Sequence, residues 1–194
     1  MNFRKFASSI DIPVPRSVTE NEVHKFSKII LKPVDSFSGK GISVLSKPNN
    51  GELSRAKNHA ESNSPSSGFV MEEYIEGQLF SHSAFFQNHK LVADFIVRED
   101  CSAAPFSVDL SYVERDFDEK ILASYRKEIS RLMRSLNLEK GLIHTQFVLR
   151  GDKFYIIEAA RRCPGDLYSL LIELTTNYKY TENYLAPFIE KNIR

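Results

Sequence analysis

Two apolar segments, LIHTQFVLR at 142–150 and KFYIIEAA at 153–160, are separated only by Gly151 and Asp152. A two-residue loop of this composition joins antiparallel strands, because glycine supplies the positive φ that so tight a turn needs. A parallel pair would require a crossover of a dozen residues or more. The chain must therefore contain an antiparallel sheet. Other short strand candidates are IILKPV at 29–34, ISVL at 42–45, FVMEEYI at 69–75, QLFSHSAFF at 78–86 and KLVADFIV at 90–97, the last two joined by a turn at 87–89. Regular strand–helix alternation is missing, so an α+β fold is expected rather than one open α/β sheet.

The strongest helical stripe lies in DEKILASYRKEISRLMRSLNL at 118–138, where Ile121, Leu122, Tyr125, Ile129, Leu132, Met133 and Leu136 share a face. A short helix is expected at 2–10, stopped by the prolines of DIPVP, and another in ELSRAKNHAES, capped by Asn49 or Asn50. Segments 164–175 and 181–193 also read as helices. Residues 98–113 have no clear period and are expected to cross between lobes. The expected division is a small lid lobe over about 17–97 and a larger lobe from 1–16 and 98–194, with the 142–160 hairpin at its centre.

With 26 Lys and Arg against 25 Asp and Glu, the net charge of +1 leaves no basic field for nucleic acid or anionic lipid. No apolar run approaches the roughly 20 residues that span a bilayer, and residues 1–10 lack the apolar stretch of a signal peptide. Cys101 and Cys163 show no paired spacing. These features fit a globular protein of a reducing, cytoplasmic compartment.

Three clusters could carry chemistry. Lys32 lies inside an apolar strand, facing the same way as Ile30. An edge lysine laying its stem along a sheet would look alike. Three residues on, DSFSGKG at 35–41 is a loop of small residues whose backbone N–H groups can approach an anion, although most such loops are plain turns. VMEEYIEG at 70–77 gathers glutamates at a strand end, either as a solvated acidic edge or as a set of groups for a base edge. In the hairpin, His144, Gln146 and Val148 share a face, and Glu158 returns beside Gln146, so that two oxygen ligands could meet a hard cation. An ordinary amphipathic hairpin gives the same pattern, and His144 reads as a packing residue. Arg161, Arg162 and Asp166 follow.

In this order, strand lysine, Gly/Ser loop, EEYIEG and GLIHTQ leading to IIEAARRCPGD resemble the ATP-grasp superfamily, above all its carboxylate–amine ligases. The resemblance covers nearly the whole chain. It implies that ATP lies between two α+β lobes and phosphorylates a carboxylate, after which an amine attacks the acyl phosphate. It places Lys32 on the α- and β-phosphates and the loop of Ser36, Ser38, Gly39, Lys40 and Gly41 over them. Glu72 would take the adenine amino group, Glu73 and Ile75 would offer backbone to the base, and Ile30, Val148 and Ile157 would wall it. Gln146 and Glu158 fall on the magnesium positions, and Arg162 on the arginine that steadies the transferring phosphoryl group. Catalysis would rest on Lys32 and Arg162, with Arg98 as a candidate clamp for the substrate carboxylate.

The chain departs from the family pattern at several points. Leu79 stands where an acidic residue usually holds the ribose, which leaves Ser81 or His82 for that task. Gln146 stands where the first metal ligand is usually Glu or Asp, which predicts weaker magnesium binding. Ala160 replaces a common asparagine. The resemblance further leads one to expect an N-terminal domain with a second phosphate lysine ahead of the first helix, and the chain is expected to lack both. The chain then reads as a fragment, an internally started product or one subunit of a split enzyme, inactive alone and completed by a domain in cis or a subunit in trans. Phe3, Phe6, Tyr184, Leu185 and Phe188 are expected to be exposed and to drive self-association, unless the terminal helices cover each other. A non-catalytic nucleotide-binding or partner-binding module is the other reading of Leu79 and Gln146.

Overall fold

The computed structural model describes residues 3–193. In chain order these form α1 (Phe3–Ser9), β1 (Lys28–Pro33), β2 (Ser43–Ser46), α2 (Asn50–Ser62), β3 (Phe69–Glu73), β4 (Gln78–Gln87), β5 (Lys90–Asp100), β6 (Leu110–Val113), α3 (Glu119–Ser135), β7 (Gly141–Arg150), β8 (Lys153–Ala160), α4 (Tyr168–Thr176) and α5 (Tyr180–Leu185), with short 3₁₀ turns at Glu20–Lys25 and Ala186–Ile189. The expected helices and strands are all present. The one at 2–10 is α1, Asn2 lying outside the described residues, and the last two are shorter than their stripes suggested. The chain has an α+β fold.

The backbone divides into two units. The smaller contains Pro15–Glu76 and Cys101–Leu110. Its sheet has the order β2-β1-β3, with both pairs antiparallel. Ile29, Leu31 and Met71 pack with Leu53 and Ala56 of α2. That helix starts in a reciprocal cap in which Asn49 Oδ1 accepts from the Glu52 N–H at 3.0 Å and the Glu52 carboxylate accepts from the Asn49 N–H at 2.9 Å. Because β1 is the central strand, Lys32 is not an edge lysine.

The larger unit holds the remaining described residues and a sheet of order β6-β5-β4-β7-β8. β4 and β5 belong here, not to the small lobe in which 17–97 placed them. β4 pairs with β7 from Gln78↔Leu149 to Phe86↔Gly141, a long-range register that local patterning cannot announce. The β7–β8 hairpin is accordingly not central, and β4 takes that place. One sheet face packs Phe80, Ile96, Phe147 and Ile156 on Tyr125, Ile129, Leu132 and Met133 of α3 and on Ala7 of α1. Phe3 and Phe6 join this core, which corrects the expectation that they are exposed. The other face packs Phe85, Val97 and Leu142 on Tyr168, Ile172 and Tyr180. Leu185 and Phe188 are exposed as expected and Tyr184 is half-buried, while Leu167 and Leu174 on or beside α4 are also exposed.

β4 is buried on both faces, yet it carries Ser81, His82 and Ser83. Each has a hydrogen-bond partner, although the Nδ1 of His82 has none among the described residues. Ser81 bonds the Tyr168 hydroxyl at 3.2 Å, and Ser83 the Tyr180 hydroxyl at 2.9 Å. His82 Nε2 lies 3.0 Å from Asp94, which also accepts a fork from Arg126 at 2.7 and 2.8 Å. Burial alone would raise the Asp94 pKa, but the bonds and charges of His82 and Arg126 hold it well below the ordinary 3.8. The outer neighbour of the group is Glu119, 3.9 Å from Arg126. A depressed carboxylate contributes stability that is present above the unfolded pKa and is lost as pH falls below it. Denaturation midpoints should thus drop steeply below about pH 4 in the native chain. Asp94→Asn should start about 2 kcal/mol less stable at neutral pH and lose less on acidification. An acid profile parallel to the native one would count against this role. No helix among the described residues is long and apolar enough to cross a membrane.

Candidate functional site

In the smaller unit, β-pairing sets Ile30 opposite Glu72 and Lys32 opposite Val70, all on the sheet face turned away from α2. Lys32 Nζ lies 2.8 Å from Glu72 Oε2, and Glu72 is only 3% exposed. The two ends of the expected phosphate-to-adenine set are thus joined as an ion pair. Glu73 is half-buried, with Arg16 at 2.9 Å from its carboxylate, and its N–H is donated to the Arg16 carbonyl at 2.8 Å. That N–H is not available to a base, which narrows the expected backbone contact. Ile75 is buried, and its N–H has no hydrogen-bond partner among the described residues.

The loop at 35–41 is tied at its start by Asp35, whose carboxylate accepts from Ser64 and from the Ser66 N–H. Beyond that anchor the backbone turns left-handed at Ser38, Gly39 and Gly41. A side chain at Gly39 would stand 2.6 Å from the Phe106 carbonyl oxygen, and one at Gly41 2.6 Å from Pro33 and Asn63, so only glycine fits. The N–H groups of Ser36, Ser38, Gly39 and Gly41 have no partner among the described residues. Lys40 Nζ sits 4.4 Å from the centre of the exposed Phe37 ring. The loop offers an anion several free donors and one cation.

In the larger unit, Gln146 pairs directly with Glu158 on one side and with Ser81 on the other. The register shifts after Gln146, so Phe147 faces Ile156 and Ile157 is the extra residue of a bulge. The bulge is held from α1, where buried Arg4 donates to the carbonyls of Ile156 at 2.6 Å and Ile157 at 3.1 Å. Glu158 is exposed, and Val148 and Ile157 are half-buried. Arg162, also exposed, lies four residues past Glu158 and donates to the Cys163 carbonyl at 3.2 Å. His144 is a packing residue, as expected. Its Nδ1 meets Ser83 Oγ at 3.0 Å and its ring meets Tyr168, and burial, with the charges of His82 and Arg162, pushes its pKa down to about 3.

Neither substitute for the ribose acid gains support. His82 is buried on the opposite face, against Tyr125, and Ser81 is occupied by Tyr168. Arg98 pairs in register with Phe80, on the face away from Gln146, with its guanidinium 3.7 Å from Asp100. The sequence reading missed Glu99. β5 runs three residues beyond the predicted strand end at 97, and Glu99 there faces Leu79 across the ladder. The Gln146 amide nitrogen donates to it at 2.8 Å. Burial, with the neighbouring charges of Asp166 and Glu158, raises the Glu99 pKa. Extending the alternation Phe95, Val97 by one step would have put Glu99 on this face. Among the described residues no three His, Cys, Asp or Glu side chains cluster closely enough to hold a metal by themselves. The Glu158 carboxylate and the Gln146 amide oxygen suit a hard cation that keeps waters and shares phosphate oxygens, as Mg²⁺ does, so the donor set fits.

Known folds agree. The L-amino acid ligase of Bacillus licheniformis superposes with a TM-score of 0.74 at 19% identity, over 94% of this chain and 45% of that one. The D-alanine–D-alanine ligase of Bacillus anthracis complexed with ATP gives 0.70 at 18%, over 97% and 63%. The biotin carboxylase domain of Hydrogenobacter thermophilus 2-oxoglutarate carboxylase, solved with MgADP and bicarbonate, gives 0.72 at 14%, over 98% and 45%. This chain thus spans from under half to under two thirds of these structures. No curated protein matches it in sequence. The family profile of the ATP-grasp domain matches residues 26–169, most of the chain, and the chain belongs to that family.

Proposed function

We propose that this chain is the nucleotide-binding core of a cytoplasmic ligase that uses ATP and Mg²⁺ to phosphorylate a small-molecule carboxylate and joins the acyl phosphate to an amine. The observation that carries the reading is the pairing of Gln146 with Glu158 beside buried Glu99, within an ATP-grasp domain. Lys32, already held by Glu72, would place its ammonium on the phosphates. The unpartnered N–H groups of the 35–41 loop would bind phosphate oxygens, and the Ile75 N–H with the Glu72 carboxylate would read the base. Ile30, Val148 and Ile157 would line its apolar faces. Gln146 and Glu158 would hold Mg²⁺, which neutralises the charge developing on the phosphates. Arg162, exposed and unburdened by any ion pair among the described residues, would steady the moving phosphoryl group. A further domain in cis, a subunit in trans or a second copy would cover Leu185 and Phe188.

Calorimetric titration with ATP tests the reading. The 194-residue chain is expected to bind ATP, and to bind it at least about tenfold more tightly with Mg²⁺ present, as metal bridging of the phosphates requires. No binding under either condition would favour the other reading of Leu79 and Gln146, in its form of a non-catalytic partner-binding module.

A further inference from the structure

An amide has two ends, and only its oxygen can ligate a hard cation. Gln146 therefore serves a metal only if something fixes which end faces it. Its nitrogen is taken by Glu99 Oε2 at 2.8 Å across the width of β4, between Leu79 and Ser81 in the register. A carboxylate can only accept, so the opposite orientation would set two oxygens face to face. Gln146 Oε1 meanwhile has no hydrogen-bond partner among the described residues. Glu99 is 5% exposed, and among the described residues the groups that act on it are Ser81, Gln146, Asp166 and Glu158, none of them cationic. A buried carboxylate beside two further carboxylates is costly unless a cation joins them.

We propose that Glu99 is the positioning residue of the cation site: it accepts from the Gln146 amide nitrogen, turns the amide oxygen toward the metal and supplies from behind it the negative charge that an amide ligand lacks. The inference deepens the functional reading and rests on Gln146 and Glu158 being the ligands. The charge lost where Gln146 replaces an acid is thereby returned by a neighbour two strands away. Such outer-shell partners are worth about ten- to hundredfold in metal affinity.

Mn²⁺ serves as the probe, its free fraction read by electron paramagnetic resonance with the 194-residue chain and ATP present. Glu99→Gln keeps the shape of the side chain, and it should weaken Mn²⁺ retention about tenfold or more while leaving metal-free ATP affinity unchanged. The exchanged pair Glu99→Gln/Gln146→Glu should recover retention, because the new amide donates to a carboxylate that now ligates directly. Recovery also excludes simple misfolding of the single variant. Unchanged retention in Glu99→Gln, alongside loss in Glu158→Ala, would overturn the inference and leave the ligand assignment standing, and so would an exchanged pair as weak as the single variant. Retention unmoved in both Glu99→Gln and Glu158→Ala would remove the metal assignment and this inference with it.

Discussion

Lys32→Met is expected to lower both stability and nucleotide affinity, by about 2–3 kcal/mol in the first case and on the order of a hundredfold in the second. Both losses have one origin. The ammonium lies 2.8 Å from a carboxylate that is almost wholly buried on the face of a three-stranded sheet turned away from α2, so removing it leaves the desolvation of Glu72 less well compensated. Breaking one side of a buried pair costs more than replacing both sides by apolar groups. Lys32→Met/Glu72→Met should therefore regain most of the denaturation midpoint. It should not regain ATP binding, since the phosphate cation is still missing. If ATP affinity returned together with stability, Lys32 would be a structural residue only.

Glu158→Ala separates function from stability more cleanly. The side chain is exposed, and no ion pair or hydrogen bond involves it among the described residues, so its loss should change stability by no more than about 0.5 kcal/mol. The effect of Mg²⁺ on ATP affinity should disappear. If the proposed ligase reaction is carried out, its ADP release should fall on the order of a hundredfold or more, the scale of directed charge stabilisation. Unchanged ADP release with an unchanged fold would count decisively against the ligase reading.

The difference between these residues also shows what a single sequence discloses. Lys32, the 35–41 loop and the Gln146–Glu158 pair were legible because each depends on local spacing: a period of two, a glycine turn, a two-residue hairpin loop. The capping of α2 was legible for the same reason. The allegiance of β4 and β5 was not, since a strand joins whichever sheet offers it a long register, and β7 lies some sixty residues downstream. Glu99 was hidden by its charged neighbours Arg98 and Asp100, which made the strand seem to end at Val97. The bulge at Ile157 was hidden too, because its anchor is Arg4, at the other end of the chain. In each case the missing information is a contact between distant residues, and hydrophobic period carries none of it.

The division of the chain into units has a consequence for dissection. The smaller unit borrows Cys101–Leu110 from downstream, and the larger takes the residues up to Val14 from upstream. A protease that nicked the bond between Glu76 and Gly77 would yield two fragments, neither with a complete fold. The C-terminal fragment would lack α1, with its Arg4 bonds to the bulge and the Pro13 carbonyl that accepts from the Ile156 N–H at 2.8 Å. The N-terminal one would lack Phe106, against which Gly39 packs. Each half holds a part that only the other can seat, so the nicked protein should stay together, and separately expressed halves should restore each other on mixing.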